Sequence, residues 1–333
     1  MQRTPKILII RFSSIGDIVL TSPVVRVLAE QMDPSPEIHF LTKASFAFLL
    51  ADNPHIHKVH TIEKATAEVM DELKELDFDY IIDLHRNVRS SMVKRGLKRL
   101  DFTLKKYNWE KWLLVRFGID RMPDKHIVDR YLDTLKAFGL ENDDKGLDYF
   151  YPESEKVDPQ KALPSGTSQY IALALGGAHV GKRMRYDLLE GVIDQCDAHF
   201  CLLGGKEDAE LGQRLHDRFP DKTTDLSGKI SVHGSASILE QAEMVISGDT
   251  GMMHIASAFG KDIISVWGCT SPRFGMNPHN PNGRTQIIEP KGLSKRPCSK
   301  LGDRCKYGKE KRCIDHIEPS QIVEAVTRLR TTS

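Results

Sequence analysis

Short apolar runs alternate with amphipathic segments along the whole chain. In the first half they predict strands at residues 6–11, 37–41, 59–62 and 80–84, with helices at 18–31, 43–50 and 68–76. In the second half they predict strands at 170–175, 199–203, 244–246 and 263–267, with helices at 187–196, 209–217, 238–242 and 319–329. This alternation predicts an α/β fold of two Rossmann-like, doubly wound domains. Since ligands bind beyond the carboxyl ends of such strands, we expect both domains to face a central cleft.

A change of composition separates the two halves. Residues 141–168 are rich in acidic residues and prolines and end in the run SGTS, which is typical of a linker. We therefore predict an N-terminal domain at residues 1–150, a linker at 151–168 and a second domain at 169–317. A C-terminal helix at 318–333 follows, and its packing back on the N-terminal domain is one arrangement that the sequence leaves open.

Composition and charge restrict the class of protein. Hydrophobic residues make up 40% of the 333 positions and charged residues 28%, which is typical of a folded globular protein. The formal net charge of +1 gives no overall signature of binding to a polyanion. No apolar run approaches the roughly 20 residues of a membrane span, and the N-terminus lacks a signal-peptide pattern. We therefore expect a cytoplasmic protein.

The most informative local pattern is a small polar turn at residues 247–256 (SGDTGMMHIA), between a predicted strand and a predicted helix. The first N–H groups of a helix have no partners within it and favour anions, so this turn could hold a diphosphate. Asp249, Thr250 and Gly251 form the turn, and His254 follows about one helical turn later, where it could face the same ligand. The alternative is an ordinary strand–helix turn in which Asp249 or Thr250 caps the helix.

A second turn of this type follows the first strand, at residues 11–17 (RFSSIGD). It lacks the glycines of a dinucleotide fingerprint and the lysine of a P-loop. Asp17 lies near the start of a helix, where its ionised form is favoured, and at the mouth of a cleft it could act as a general base. The alternative is that Asp17 only caps the helix.

Two further glycine-containing loops follow predicted strands in the second half. Residues 176–185 (GGAHVGKRMR) combine glycines, which let the backbone approach a ligand, with cations that can neutralise phosphate. Residues 202–208 (LLGGKED) end in carboxylates that could accept hydrogen bonds from a ribose. The alternatives are a solvated basic loop in the first case and helix capping by Glu207 or Asp208 in the second.

Two local basic zones contrast with the near-neutral net charge. The first interleaves aromatic residues with the cations Arg86, Arg89, Lys94, Arg95, Lys98, Arg99, Lys105, Lys106, Lys111 and Arg116. It suits an anionic membrane surface or a phosphorylated glycolipid; a nucleic-acid surface would lack any accompanying motif, and a solvated helix face is the simplest alternative. The second zone comprises Lys291, Lys295, Arg296, Lys300, Arg304, Lys306, Lys309, Lys311 and Arg312.

The six cysteines fall into two groups. Cys196, Cys201 and Cys269 lie in or beside apolar runs and are predicted to be reduced core residues. Cys298, Cys305 and Cys313 cluster near the C-terminus, with His316 close behind, and these four could form a zinc site. None of them forms a C-x2-C pair, so a structural loop with free thiols is the favoured interpretation and no metal is predicted.

Four segments resemble motifs of glycosyltransferase family 9, the heptosyltransferases of lipopolysaccharide core synthesis. They are residues 7–23 (ILIIRFSSIGDIVLTSP), 81–89 (IIDLHRNVR), 249–256 (DTGMMHIA) and 266–272 (VWGCTSP). The first resembles the family's opening strand, loop and helix, and the second its D-L-x-x-N-x-R strand end. The third resembles its D-[ST]-G-x-x-H-x-A signature and the fourth its G-x-T-x-P turn. The segments follow the family's order and span most of the chain.

The resemblance implies a GT-B fold, with the acceptor bound by the N-terminal domain and a nucleotide-sugar by the second domain. It implies an inverting, metal-independent transfer in which Asp17 matches the general base. The donor-binding residues implied are Lys182, Glu207, Asp249, Thr250, Gly251 and His254. The acceptor-binding residues implied are Ser13, Ser14, Gly16, His85, Arg86, Asn87 and Arg89. Met184 and Arg185 replace a tryptophan and proline frequent in the family, so Lys182 and Arg183 both stay candidates for the diphosphate cation.

The partners implied are ADP-heptose or a similar nucleotide-sugar as donor and an anionic lipid A or core oligosaccharide as acceptor. Peripheral contact with the cytoplasmic face of the inner membrane would fit such an acceptor. No cofactor, metal or nucleic acid is expected. Two other functions stay open: a nucleotide-sugar epimerase of GT-B fold, which would need no acceptor, and a catalytically inactive protein that binds glycolipid.

Overall fold

The computed structural model describes residues 3–164, 167, 169–308 and 312–331. Two compact units divide the chain. The first consists of Met1–Lys106 and Lys125–Tyr151, and the second of Tyr107–Asp124 and Pro152–Ser333. The change of unit after Tyr151 lies next to the boundary predicted at residue 150, but Tyr107–Asp124 packs with the second unit. Ser165, Gly166 and Ser168 of the predicted linker lie outside the described residues.

The first unit is built on a parallel sheet of five strands with the order β3-β2-β1-β4-β5. Its strands are β1 (Lys6–Ile10), β2 (Glu37–Lys43), β3 (Lys58–Ile62), β4 (Tyr80–Asp83) and β5 (Leu100–Thr103). The apolar residues of β1 are fully buried because helices cover both faces of a parallel sheet. The strand order reverses between β1 and β4, where Ile10 is paired with Asp83. The loops that follow these two strands therefore emerge side by side, at the place where ligands bind in such sheets.

The first half of the chain has helices α1 (Ile15–Val19), α2 (Ser22–Gln31), α3 (Met70–Glu75), α4 (Val88–Leu97), α5 (Asn108–Phe117) and α6 (Ile127–Leu132). Of these, α5 belongs to the second unit. The single helix predicted at residues 18–31 is divided into α1 and α2, and the Thr21 hydroxyl donates to the Ile18 carbonyl at 2.6 Å at the break. The helix predicted at residues 43–50 is a 3-10 helix, Ala44–Leu49.

The second unit is built on a parallel sheet of six strands with the order β11-β10-β9-β6-β7-β8. Its strands are β6 (Ile171–Ala174), β7 (Phe200–Leu203), β8 (Thr223–Asp225), β9 (Met244–Gly248), β10 (Asp262–Val266) and β11 (Thr285–Ile288). Here the order reverses between β6 and β9, where Ala174 is paired with Ser247. The glycine-rich loop after β6 and the turn after β9 therefore share the second switch point.

The helices of the second half are α7 (Pro159–Ala162), α8 (Tyr186–Gln195), α9 (Ala209–Arg218), α10 (Val232–Gln241), α11 (Gly251–Ala258) and α12 (Pro319–Thr331). The C-terminal helix α12 buries Ile322, Ala325, Val326 and Leu329 in the core that β6, α8 and β7 also form. Among the described residues, no helix combines the length and apolarity that crossing a membrane requires. The two parallel sheets and their helices confirm the predicted α/β fold.

Candidate functional site

An ion pair forms in the turn after β1, at the start of α1. Asp17 Oδ1 lies 2.6 Å from Nη2 of Arg11. Asp17 Oδ2 accepts hydrogen bonds from the Ser14 hydroxyl at 2.9 Å and from the Ser14 N–H at 3.3 Å. Both carboxylate oxygens are engaged, yet 22% of the side chain stays exposed. Asp17 therefore helps to cap α1 and also presents a carboxylate beyond the carboxyl end of the sheet.

Arg11 is absent from the predicted site residues, although the structure gives it a central position. Its Nε donates to the Ser13 carbonyl at 2.9 Å, and its Nη1 donates to the Leu84 carbonyl at 2.7 Å. Burial opposes the charge of this guanidinium, but the adjacent Asp17 carboxylate raises the pKa of Arg11 above its ordinary value. One feature of the sequence could have indicated this role of Arg11. It is a cation directly after the buried residues of β1, and an arginine in such a position needs a partner for its charge.

The loop after β4 is fixed by Asp83, a second residue that the prediction does not include. Asp83 is fully buried, and its Oδ1 accepts from the N–H groups of His85 at 3.0 Å and Arg86 at 2.7 Å. Nδ1 of His85 in turn accepts from the Phe12 N–H at 3.3 Å, which connects this loop to the one after β1. Burial, helped by Arg11 and Lys106, lowers the pKa of His85 to about 4. The imidazole is therefore neutral at physiological pH, with its proton on Nε2.

The other predicted acceptor residues occupy the same two loops but differ in role. Asn87 caps α4, because its Oδ1 accepts from the Ser90 N–H at 2.9 Å. Arg86 and Arg89 are exposed, and Arg86 is anchored by its Nη1, which donates to the Leu104 carbonyl at 3.2 Å. The carbonyl of Ser13 receives Arg11, as described above, and Gly16 lies buried within α1. The structure thus brings all seven predicted residues to one switch point.

The second unit forms its own ion pair at its switch point. Lys182 Nζ lies 2.7 Å from Asp249 Oδ2, and the Thr270 hydroxyl donates to the same oxygen at 2.9 Å. Lys182 ends the 3-10 turn Val180–Lys182 after β6, and its side chain is 19% exposed. Arg183 is occupied differently, since its Nε donates to the Gly177 carbonyl at 2.6 Å. Of the two candidate cations, Lys182 is therefore the one that reaches the turn after β9.

The turn after β9 leaves the start of α11 without a side-chain cap. Thr250 occupies the N-cap position with an extended backbone, but its side chain makes no capping hydrogen bond. Its hydroxyl lies instead 3.1 Å from that of Ser247. A Cβ on Gly248 would come within 2.7 Å of the Lys182 carbonyl, so this glycine allows the two loops to meet. The first N–H groups of α11, beginning with Gly251, therefore lie at a turn that contains glycine. Helix N–H groups in such a position favour the binding of an anion.

His254 lies within α11, on its buried side. Its side chain is 2% exposed, and the adjacent Met253 and Ile255 are fully buried. A histidine in this position can hold a helix in place by packing alone. Its contact with a donor ligand stays a prediction.

The loop after β7 gives different positions to Glu207, the predicted ribose contact, and Asp208, which the sequence also allowed as a helix cap. Asp208 is buried and its Oδ2 accepts from the Gly205 N–H at 2.9 Å, so Asp208 is the residue that caps the turn. Burial raises the pKa of Asp208 above its ordinary value. Glu207 is exposed beside it. Glu207 is therefore the carboxylate that a ribose could reach.

The two predicted basic zones are distributed over both units. The cations from Arg86 to Lys106 belong to the first unit, whereas Lys111 and Arg116 lie on α5 of the second unit. Trp109 and Trp112 stack on α5 with ring centroids 4.8 Å apart, and their exposed fractions are 63% and 40%. In the C-terminal zone, Lys309 and Lys311 lie outside the described residues.

The cysteines group differently from the prediction. Cys196 and Cys201 are buried separately in the second unit. Cys269, predicted to be an ordinary core residue, lies against Cys298, Cys305 and Cys313, and these four sulfurs could together hold a metal ion. His316 is not part of this group. The sequence could not place Cys269 there, because it follows a strand far from the other three cysteines.

Comparisons with known proteins give a consistent result. The model of glycosyltransferase family 9 (heptosyltransferase) matches residues 66–306. Lipopolysaccharide heptosyltransferase 1 of Campylobacter coli is 23% identical over 354 residues, covering 97% of this chain and 98% of the relative. Lipopolysaccharide core heptosyltransferase OpsX of Haemophilus influenzae is 22% identical over 286 residues, covering 79% of each chain.

Solved structures show the same fold over the full length. A family 9 glycosyltransferase of Veillonella parvula matches with a TM-score of 0.76 at 20% identity, covering 99% of this chain and 98% of that one. The ADP-heptose lipopolysaccharide heptosyltransferase II of Escherichia coli matches with a TM-score of 0.72 at 18% identity, covering 98% and 99%.

Proposed function

The chain belongs to glycosyltransferase family 9 and has the GT-B fold, and we propose that it transfers a heptose from an ADP-linked donor to a lipopolysaccharide core acceptor. The names of its relatives support the sugar and the acceptor class, since they are lipopolysaccharide heptosyltransferases. The observation that carries the proposal in this chain is Lys182, held 2.7 Å from Asp249 beside the uncapped start of α11. A cation next to free helix N–H groups suits a diphosphate leaving group.

The donor would be bound by the switch point of the second unit. Lys182 would exchange part of its interaction with Asp249 for the diphosphate, while Thr270 continues to hold the carboxylate. The first N–H groups of α11 would bind the remaining phosphate oxygens, and the exposed Glu207 would accept from the ribose hydroxyls. These groups stabilise the negative charge that develops on ADP as it leaves, so no general acid is required.

The acceptor would be activated by Asp17 in the first unit. The acceptor oxygen forms a bond to the anomeric carbon while the bond from that carbon to the ADP oxygen breaks, and the hydroxyl proton passes to Asp17. Attack opposite to the leaving group inverts the configuration. The ion pair with Arg11 holds the Asp17 carboxylate in place. A carboxylate is sufficient as the base because an oxocarbenium-like transition state makes the attacking hydroxyl more acidic before its proton is lost.

The acceptor's anionic groups would meet the exposed cations of the same loops. Arg86 and Arg89 are exposed at the start of α4, and the Nε2 proton of His85 adds a neutral donor beside them. We expect the Trp109–Trp112 pair to contact the membrane surface that presents the acceptor. Loss of co-sedimentation with anionic vesicles in a Trp109→Ala, Trp112→Ala variant would support this contact, whereas unchanged binding would exclude it.

The experiment that tests the proposed function measures ADP release. The protein would receive ADP-heptose with and without a Kdo–lipid A acceptor, in buffer without added divalent metal. We expect release that depends on the acceptor, together with a glycosylated product detected by mass spectrometry. Conversion of the donor sugar without acceptor would indicate an epimerase instead. Binding of the acceptor without turnover of any nucleotide-sugar in a panel would indicate an inactive glycolipid-binding protein.

A further inference from the structure

Four cysteines of the second unit converge on one point. Cys269 follows β10, and Cys298, Cys305 and Cys313 come from the long segment after β11. Their Sγ atoms all lie within 4.8 Å of one another, and Cys269, Cys298 and Cys313 are buried. Sγ of Cys313 lies 3.1 Å from that of Cys298 and 3.5 Å from that of Cys305, and all four thiols are free. We call these four residues the tetrathiol cluster.

The spacing of the sulfurs matches a tetrahedral metal site better than thiol packing or disulfides. A metal–sulfur bond of about 2.3 Å places the sulfurs of a tetrahedron about 3.8 Å apart. The distances from the Cys313 sulfur to those of Cys298 and Cys305, 3.1 Å and 3.5 Å, are near that value, and no pair of sulfurs in the cluster is more than 4.8 Å apart. A disulfide would require two sulfurs at about 2.05 Å, whereas the Cys298 and Cys313 sulfurs are 3.1 Å apart.

The backbone around the cluster is already arranged to hold it. The Cys269 carbonyl accepts from the N–H groups of Cys298 at 2.8 Å and Ser299 at 3.4 Å. Between β11 and the 3-10 turn Cys313–His316, the described residues form no helix or strand. A segment of this length without regular structure is unusual in a compact unit unless something crosslinks it. A shared metal would tie both ends of this segment to the end of β10.

The surrounding charge fits a metal bound by thiolates. Four thiolates and one divalent ion carry a net charge of about −2, which needs cations nearby. The loop supplies them: Arg296 donates to the carbonyls of Gly268 at 2.7 Å and Thr270 at 2.9 Å, on either side of Cys269. Lys306 donates to the carbonyl of Pro297, next to Cys298, at 3.2 Å. Two residues of the C-terminal basic zone, Arg296 and Lys306, therefore lie beside the cluster.

We propose that Cys269, Cys298, Cys305 and Cys313 bind one thiophilic transition-metal ion, zinc or iron, as a structural site. Four sulfur ligands in a tetrahedron select these metals and leave no open position for substrate. The ion has no part in the transfer step, so a metal-independent reaction and a metal-containing protein are compatible.

The cluster also supports the turn that bears Lys182, and this part of the inference rests on the proposed function. The Gly302 carbonyl accepts from the Gly181 N–H at 3.0 Å, and the Gly181 carbonyl accepts from the Cys269 N–H at 3.0 Å. A Cβ on Gly181 would come within 2.8 Å of the Cys269 sulfur, so the turn lies directly against the cluster. Loss of the metal should therefore loosen Val180–Lys182 and weaken ADP binding.

Metal content is the first test. Protein expressed with zinc and iron in the medium, and purified without chelators, should contain about one metal per chain by inductively coupled plasma mass spectrometry. Visible absorbance of an iron–thiolate centre would identify iron, and its absence with zinc present would identify zinc. Cys305→Ala, the least buried position of the cluster, should lose the metal, whereas the matched control Cys196→Ala should keep it. Metal-free wild type with four reactive thiols, or with a disulfide within the cluster, would overturn the proposal.

A second readout does not depend on any variant folding. The loop bears Lys295, Lys300, Arg304 and Lys306, none of them followed by proline, so trypsin should cut it rapidly once the metal has been removed by a mercurial and a chelator. Restored zinc should restore resistance, and an unchanged cleavage rate would contradict a crosslinking role. A bound metal in a protein without transferase activity would refute only the proposed function, and activity in a metal-free protein would refute only the metal site.

Discussion

The two switch points hold ion pairs of nearly equal length but of different construction. Arg11 and Asp17 are 2.6 Å apart in the first unit, and Lys182 and Asp249 are 2.7 Å apart in the second. Arg11 is additionally fixed by two backbone carbonyls, whereas, among the residues that the structure describes, the Lys182 ammonium has a polar contact with Asp249 alone. The first pair is therefore rigid, and the second has a cation on a flexible stem that can move to another anion.

This difference indicates what each pair is for. A cation that must stay beside a catalytic carboxylate is best supplied by arginine, whose planar fork can bind a carboxylate and carbonyls simultaneously. A cation that must transfer to a diphosphate is best supplied by lysine, a point charge with three rotatable donors. Under the proposed function, the same type of interaction would position a base in one unit and hold a phosphate-binding group ready in the other.

The largest effect should come from removing the base. Asp17→Asn keeps an acceptor for the Ser14 hydroxyl but cannot take a proton, so we expect kcat to fall by about 10²–10⁴-fold. ADP affinity should stay within a factor of about two, since the proposed donor site lies in the other unit. Steady-state ADP release and calorimetric titration with ADP measure the two quantities. A variant that retains wild-type kcat would assign the base to another residue.

A smaller loss is expected from removing the mobile cation. Lys182→Met deletes a charged hydrogen-bond donor, whose contribution of about 1.5–3 kcal/mol corresponds to a 10–150-fold weaker binding of ADP. Arg183→Met is the matched control, because Arg183 is engaged with the Gly177 carbonyl and should affect ADP much less. Isothermal titration calorimetry compares the two. Equal losses in both variants would show that the loop contributes only its overall positive charge.

Exchanging the two cation types tests the comparison directly. Arg11→Lys cannot reproduce the fork that binds Asp17, Ser13 and Leu84, so we expect about a tenfold lower kcat at unchanged ADP affinity. Lys182→Arg should retain ADP binding within a few-fold, because a guanidinium also binds phosphate. Steady-state kinetics measure kcat, and titrations measure ADP affinity, for both variants. If activity tolerates the exchange at Arg11 better than the exchange at Lys182, the proposed difference between the two ion pairs is wrong.

The sequence predicted the strands that are buried on both faces, together with the edge strand β3, and missed three other edge strands. β1, β6 and β9 have continuous apolar runs, because helices cover both of their faces. The unpredicted strands β5, β8 and β11 all lie at an edge, and their sequences LDFT, TTD and TQII mix polar and apolar residues. Such strands form because a neighbouring strand supplies hydrogen bonds, and their own hydrophobic pattern gives little indication of that.

Prediction from the sequence has the same limit for single residues of the candidate site. Candidates such as Asp17 and Asp249 could be proposed because they lie in the segments that follow strands whose carboxyl ends bind ligands. Arg11 and Cys269 could not, because their contacts are with partners brought together by the fold from distant parts of the chain. Arg11 meets the Leu84 carbonyl across the β1–β4 pair, and Cys269 meets a loop that begins after β11. A local pattern cannot show such pairings.

The smallest predicted effect concerns the histidine that joins the two loops of the first unit. His85 has a pKa of about 4 in the folded protein and an ordinary value near 6.5 when unfolded. Between these values the unfolded chain binds the extra proton, so the stability that His85 contributes is fully present above about pH 6.5 and is lost as the pH falls towards 4. Because the ring is partly exposed, we expect a loss of only about 1 kcal/mol at pH 5. His85→Asn retains an acceptor for the Phe12 N–H but does not titrate. Urea unfolding of the wild type and the variant at pH 7.5 and pH 5 measures the effect. An equal pH dependence of stability in the two proteins would show that the imidazole of His85 does not couple protonation to folding.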